Sequence, residues 1–354
     1  MIKLYNLVNS TLEQIDFNEI WNGFERGDFA LYNKEKVYLK DKVIPYDNRF
    51  LGNTTIKYKG KNLAIWNVEN ESDEEYRELT ANIVHEMFHS YQFLKGETRF
   101  PNDIEGLSYP NILENYNLKY NENSLLINGL DAKNKSEKVR IFKKLVASRK
   151  LRLKKFGDLI KYEFEIETAE GSAEYCGVKS LRIISDDLYE KRIESYKKLI
   201  IEEEKILFDI RKSCYFTGTL FLLFLDEIGV DFSRKIENEQ LTIFEQVAYS
   251  IDTSDVNLEY VDNPEIEKQF RKEKLKKENI INKFLKDKLS LVKGKFDICG
   301  YDPMNMFKVN NRIFCSHFII LRNIETKEKI FINGPVLIKI DEEAGYVKEY
   351  YKIK

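Results

Sequence analysis

Ile83 to Phe93 reads "IVHEMFHSYQF". The chain has 354 residues and three histidines, and two of them stand here, four apart, with a glutamate directly after the first. Apolar residues recur around them at Tyr76, Leu79, Ile83, Met87, Phe88, Tyr91 and Leu94, which is a helical period. Upstream, Ser72-Asp73-Glu74-Glu75 has the form of a capping box, and downstream Lys95-Gly96 offers a stop. The pair is therefore expected in the middle of one helix. Positions four apart lie one above the other, so His85 and His89 aim both imidazoles at one place.

Glu86 is rotated by about 100° from His85. It can reach the open side of a metal without taking a ligand position. That is what H-E-x-x-H supplies: two nitrogen ligands for zinc, and a carboxylate to deprotonate water. A third protein ligand is needed. The metzincin pattern asks for a glycine and then a histidine after the second histidine, but Gln92 and Lys95 stand there. Peptide deformylases draw a cysteine from upstream, but the first cysteine here is Cys176. A glutamate on a later helix remains. In "KYEFEIETAEGSAEYCG", Glu163, Glu167, Glu170 and Glu174 are spaced 4, 3 and 4 apart and line one helical stripe. Four carboxylates on one face repel one another unless cations sit opposite. A metal with its imidazoles is one source of positive charge, and nearby Arg and Lys are another.

"HEMFH" followed by "AEGSAEY" resembles the gluzincin, or peptidase MA-like, zinc metalloproteases. The resemblance implies a zincin-like catalytic core with Glu170 as third ligand and Glu174 steadying a ligand histidine, Glu167 being the runner-up for either role. "CYFTGTLFLLFLDEIG" is similar to the following helix of aminopeptidase-like members. That likeness makes Tyr215 the stabiliser of the tetrahedral intermediate, and Gly218 the point where helices approach. "NLAIWNV" stands where such enzymes carry a cleft-side edge strand, which implies substrate contact at Ala64, Ile65, Trp66 and Asn67. The gap between His89 and Glu170 is longer than in the thermolysin-like and aminopeptidase branches. An inserted loop and a basic helix fill it. No G-x-M-E-N-type amine-binding segment is present.

The rest of the chain sets the frame, an expected α+β fold. Alternation in "KVYLKDKVIPY" and "TTIKYKGKNLAIWNVE" predicts strands, turning at Lys59 to Asn62, within a strand-rich N-terminal lobe over 1–70. A helical zinc-site region follows over 71–258, with a loop from Phe100 to Asn123 and a helix from about Phe156 to Ile184. A long amphipathic helix from Asp186 is expected to run into the Tyr215 helix. A charged, solvated helix is expected over 259–290. An antiparallel β-rich region over 291–354 should turn at Glu325 to Glu328 and at Asn333-Gly334. His317, beside Cys315, is expected as a partly buried sheet residue outside the site.

With 57 basic and 59 acidic residues, charge gives no reason to expect a nucleic-acid partner. The segment from Tyr215 meets Asp226 and Glu227 too soon to span a membrane, so it reads as a buried helix. No signal-peptide core opens the chain and the four cysteines form no CxxC pair. Both point to reduced thiols and a cytoplasmic protein. The expected function is zinc-dependent hydrolysis of a peptide or protein substrate. The alternatives are an inactive zincin-fold binding or scaffold protein and a partner-specific effector protease.

Overall fold

Alternation in the first seventy residues becomes five strands: β1 (Asp28–Tyr32), β2 (Lys36–Leu39), β3 (Lys42–Pro45), β4 (Thr54–Tyr58) and β5 (Lys61–Asn67). They form one sheet in the order β3-β2-β1-β5-β4. Lys59 and Gly60 both take positive φ, 49° and 83°, which suits the two-residue turn that folds β4 back along β5. On its other side β5 pairs in parallel with β1, so β4 is left at the edge.

The computed structural model describes residues 1–202, 204–231, 236–341 and 343–353. They make an α+β protein of two units, Met1–Pro101 with Leu118–Tyr260, and Asn102–Asn117 with Val261–Lys354. The strand-rich first seventy residues, expected as their own lobe, share the first unit with the helices. Helix α1 (Ile2–Leu12) stacks Tyr5 on Phe29 of β1. Helix α2 (Tyr76–Leu94) buries Ile83, Val84, Met87 and Phe88, and Thr55 of β4 bonds to its Glu86 carbonyl at 2.6 Å. A 3₁₀ turn over Asp73–Glu75 precedes α2, and Ser72 caps it without a side-chain bond to the backbone, so the expected capping box does not form. Gly96, at φ 70°, ends the helix as expected.

Helix α3 (Leu113–Asp131) takes in the second part of the segment expected as loop, from Leu113 to Asn123. Its asparagines read locally as turn formers, yet the buried Asn123 donates to the Ile200 carbonyl at 2.9 Å. Next come α4 (Lys135–Phe156), α5 (Lys161–Ile166), a π turn over Glu167–Gly171, α6 (Ser172–Ile184) and α7 (Asp186–Ile201). Helix α8 (Ile210–Ile228) starts afresh where the Asp209 side chain accepts from the Lys212 amide, so the long helix expected from Asp186 is broken. Leu220 to Leu225 of α8 are all buried, and no helix among the described residues is long and apolar enough to cross a membrane.

In the second unit, α9 (Pro264–Phe284) precedes seven antiparallel strands. These are β6 (Leu289–Tyr301), β7 (Met306–Val309), β8 (Arg312–Cys315), β9 (Phe318–Asn323), β10 (Lys329–Asn333), β11 (Val336–Asp341) and β12 (Tyr346–Ile353). Their order is β10-β9-β6-β12-β11-β8-β7. Helix α9 is not wholly solvated: its Ile281 and Phe284 pack on Phe314 and Leu337. The turn at Glu325 joins β9 to β10 as expected. Asn333-Gly334 instead leads to β11, which β10 does not pair with, so it is a crossover and not a hairpin. Three cysteines are buried thiols, and Cys299 is exposed.

Candidate metal centre

The histidine spacing does in three dimensions what helix geometry requires. The rings of His85 and His89 lie 4.8 Å apart between centroids, and their Nε2 atoms are 3.1 Å apart. Glu170, carried on the π turn, brings Oε2 to 3.1 Å from His89 Nε2 and 3.8 Å from His85 Nε2. The two remaining ring nitrogens are already engaged. His85 Nδ1 donates to Glu174 Oε2 at 2.8 Å. His89 Nδ1 donates to Gln92 Oε1 at 2.7 Å, while Gln92 Nε2 donates to the Ala169 carbonyl at 2.9 Å.

The placement of the protons on these groups decides whether a metal fits. Because Gln92 spends its N–H on a carbonyl, its oxygen must accept, so His89 carries its proton on Nδ1. The Glu174 carboxylate fixes His85 in the same tautomer. Both Nε2 atoms therefore present lone pairs toward a carboxylate oxygen, and three acceptors cannot share that space without a cation. Among the described residues, His85, His89 and Glu170 are the one group whose ligand atoms converge this closely. The donor set, two imidazoles and a carboxylate, suits zinc. Without a metal, a second proton on His89 fills the role. Burial opposes that proton, but Glu170 and then Glu86 and Gln92 outweigh burial and push the imidazole up to about 9.

The carboxylates are tuned in opposite directions. Burial works to raise Glu170, yet His89, then Arg211, hold it well below the usual range, and Arg211 Nη2 donates to its Oε1 at 2.8 Å. Glu174 is likewise buried, and the hydrogen bond and charge of His85, with Arg192 and Tyr196, bring it down to about 2. Glu86 differs. It is 7% exposed, and no described side chain donates to its carboxylate. Burial raises its pKa, with the nearby histidines opposing. A buried carboxylate with a raised pKa beside a candidate metal site is what a proton-transfer role requires.

No family model, curated protein or solved structure matches this chain.

The acidic stripe divides in two. Glu167, the expected runner-up, faces away from the histidines, and Arg149 holds it through two bonds at 2.7 and 2.8 Å while Thr217 donates at 2.6 Å. Glu163 pairs with Lys119 and Arg152. A π turn inserts one residue into the helical register, rotating the residues before it against those after it. So Glu163 and Glu167 face the cations of α3 and α4, and Glu170 and Glu174 face the histidines. Close packing accompanies the turn: a Cβ on Gly171 would lie 2.8 Å from the Gly218 Cα. Tyr215 stacks on His85 with ring centroids 6.0 Å apart and planes at 8°. Burial, then Glu170, raises the phenol well above its ordinary value.

Two expectations change. Ala64 and Ile65 are fully buried and Trp66 is half-buried, all within β5, which lies between β1 and β4. With Asn67 they are therefore not on an edge; the edge strand beside the histidine helix is β4. His317 is not a partly buried sheet residue: its side chain is 62% exposed, between β8 and β9, and bonds to Asp302 at 2.7 Å. Gln92, Arg211, Arg192 and Tyr196 were not anticipated. Gln92 follows His89 by three positions and Arg211 precedes Tyr215 by four, so both offsets were helical neighbours in the sequence.

Proposed function

We propose that the chain is a zinc-dependent peptidase of gluzincin type. One observation carries the reading: three acceptor atoms converge while both histidine Nδ1 atoms are committed elsewhere. Zinc held by His85, His89 and Glu170 supplies a Lewis acid and lowers the pKa of water from 15.7 toward ~7. Glu86 accepts the proton of the attacking water and passes it to the leaving amine, a task that its raised pKa favours. Tyr215, kept protonated at neutral pH, is the donor for the developing oxyanion.

The edge strand supports a polypeptide substrate. Tyr58 and Lys61 close the two-residue hairpin as a hydrogen-bonded pair, and such pairs alternate along β4. Thr55 and Lys57 thus turn their main-chain N–H and C=O to the open edge, where an extended chain can add as a strand. Hydrolysis of a quenched peptide library by the zinc-loaded protein tests the reading. Glu86→Gln should keep zinc and lose roughly 10² or more in kcat. Undiminished turnover in that variant would overturn it.

A further inference from the structure

Past Glu86, the same face of α2 carries Ser90 and Leu94, with Phe93 beside them. Thr55 pins β4 to the start of this stripe, its Oγ1 lying 2.6 Å from the Glu86 carbonyl and 3.2 Å from Ser90 Oγ. Next to that pin is a cavity of about 770 Å³ whose wall includes Thr55, Lys57, Ser90, Phe93 and Leu94. We propose that this groove is a specificity subsite for an acidic stretch of extended polypeptide that also carries an apolar side chain. The inference rests on the peptidase reading and adds a substrate class to it.

The floor is apolar and open: Phe93 is 53% exposed and Leu94 75% exposed, at the end of a helix whose other large apolar residues are mostly buried. The rim is cationic. Lys57 and Lys61 line the groove, while Lys59 and Lys95 are its neighbours in sequence, their ammonium groups each 5.7 Å from a ring centroid, of Tyr58 and Tyr91 respectively. Among the described residues Lys57, Lys59 and Lys95 form no ion pair. Arg26 adds a further positive charge but bonds to Asn9 and lies 3.9 Å from the Glu13 carboxylate. A single carboxylate faces them in the wall, Asp28, 3.9 Å from Lys61. The whole chain has a formal net charge of -2, so this local excess of cations does not follow from composition. An apolar floor beside the Lys57 and Lys61 ammonium groups and the Arg26 guanidinium attracts carboxylates and buries one hydrophobic side chain between them.

Strand addition gives the groove its place in the substrate. A residue paired with Lys57 lies two positions, roughly 7 Å, from one paired with Thr55, which is pinned at Glu86. The subsite therefore reads side chains flanking the scissile bond and not those that border it. No metal ligand is part of the wall.

The test uses two blocked, fluorescein-labelled extended peptides, one with glutamates flanking a phenylalanine and one with lysines in their place. Their binding to Glu86→Gln protein, with and without zinc, is read by fluorescence anisotropy at low and high salt. The acidic probe should bind about tenfold tighter or better, with the gap shrinking as salt rises. A Lys57→Glu, Lys59→Glu double variant, both positions exposed on the hairpin, should abolish that gap. Leu94→Ser should weaken both probes. Equal affinities, no binding by either probe, or a gap that survives the double variant would overturn the proposal. Acidic preference in a protein that holds no zinc would refute the peptidase reading and leave the groove's selectivity standing. Zinc binding and turnover without the preference would do the reverse.

Discussion

At the residue scale, the tautomers of two histidines decide whether the pocket accepts a metal. Gln92 sets one of them and ties it to the Ala169 carbonyl, one residue before Glu170. Replacing it by methionine keeps the length of the side chain and removes both bonds. Gln92→Met should weaken zinc binding by about 10–100-fold in competition with a chelator, as loss of an outer-shell partner does. With three histidines in the chain, ¹⁵N-histidine spectra of the zinc-loaded protein should show protected Nδ1–H signals from His85 and His89, and the variant should lose one. An unchanged affinity would remove Gln92 from this role. His85, Glu86 and His89 were legible in the sequence because one helical spacing dictates all three. The choice between Glu167 and Glu170 was not legible from a regular helix, which places both on one stripe. A π turn separates them, and the residue pattern does not announce it.

At the scale of elements, the site depends on two helices whose backbones nearly touch. A Cβ on Gly218 would sit 2.9 Å from the Cα atoms of Glu167 and Gly171. Gly218→Ala should cost about 1–3 kcal/mol, as overpacking typically does, and also weaken zinc binding by moving Glu170. Denaturant unfolding checks the first effect and chelator competition the second. Stability lost with zinc affinity intact would show that the crossing does not position the ligand. The β4–β5 hairpin was readable from its alternation and its Lys59-Gly60 turn, which are local signals. Which strand faces the cleft was not, because it follows from the long-range parallel pairing of β5 with β1. Likewise, the asparagine-rich start of α3 looked like loop because its side chains favour turns. The partners of Asn117 and Asn123, the Asp262 side chain and the Ile200 carbonyl, are distant in sequence.

At the scale of the whole molecule, the first unit is held partly by buried charge. Arg152, fully buried, bridges Glu122 and Glu163, and Lys119 also pairs with Glu163. Burial opposes ionisation of Glu163, but Arg152 and Lys119 hold its carboxyl well below its ordinary 4.5. A carboxyl depressed in the folded state stabilises fully above its unfolded value and loses that contribution as pH falls toward the folded one. Glu174 has the same sign, being brought down to about 2. Stability of the zinc-free protein should therefore drop progressively once pH falls below 4.5. Glu163→Gln leaves two buried cations underpaired and should destabilise by about 3–5 kcal/mol at neutral pH, with a flatter acid slope. Urea midpoints across the pH range would contradict this if the variant matched the parent at every point. The α+β class was legible from the change of period along the chain. The buried network was not, since a basic helix and an acidic stripe read equally well as solvated faces.

The most direct measurement is zinc K-edge X-ray absorption on protein loaded and then dialysed, with metal content determined on the same sample. About one zinc per chain is expected, with imidazole nitrogen near 2.0–2.1 Å, carboxylate oxygen near 2.0–2.2 Å and no sulfur at ~2.3 Å. His89→Ala and Glu170→Ala should each lose the metal. A thiolate shell, or retention of zinc in both variants, would contradict a centre built on His85, His89 and Glu170.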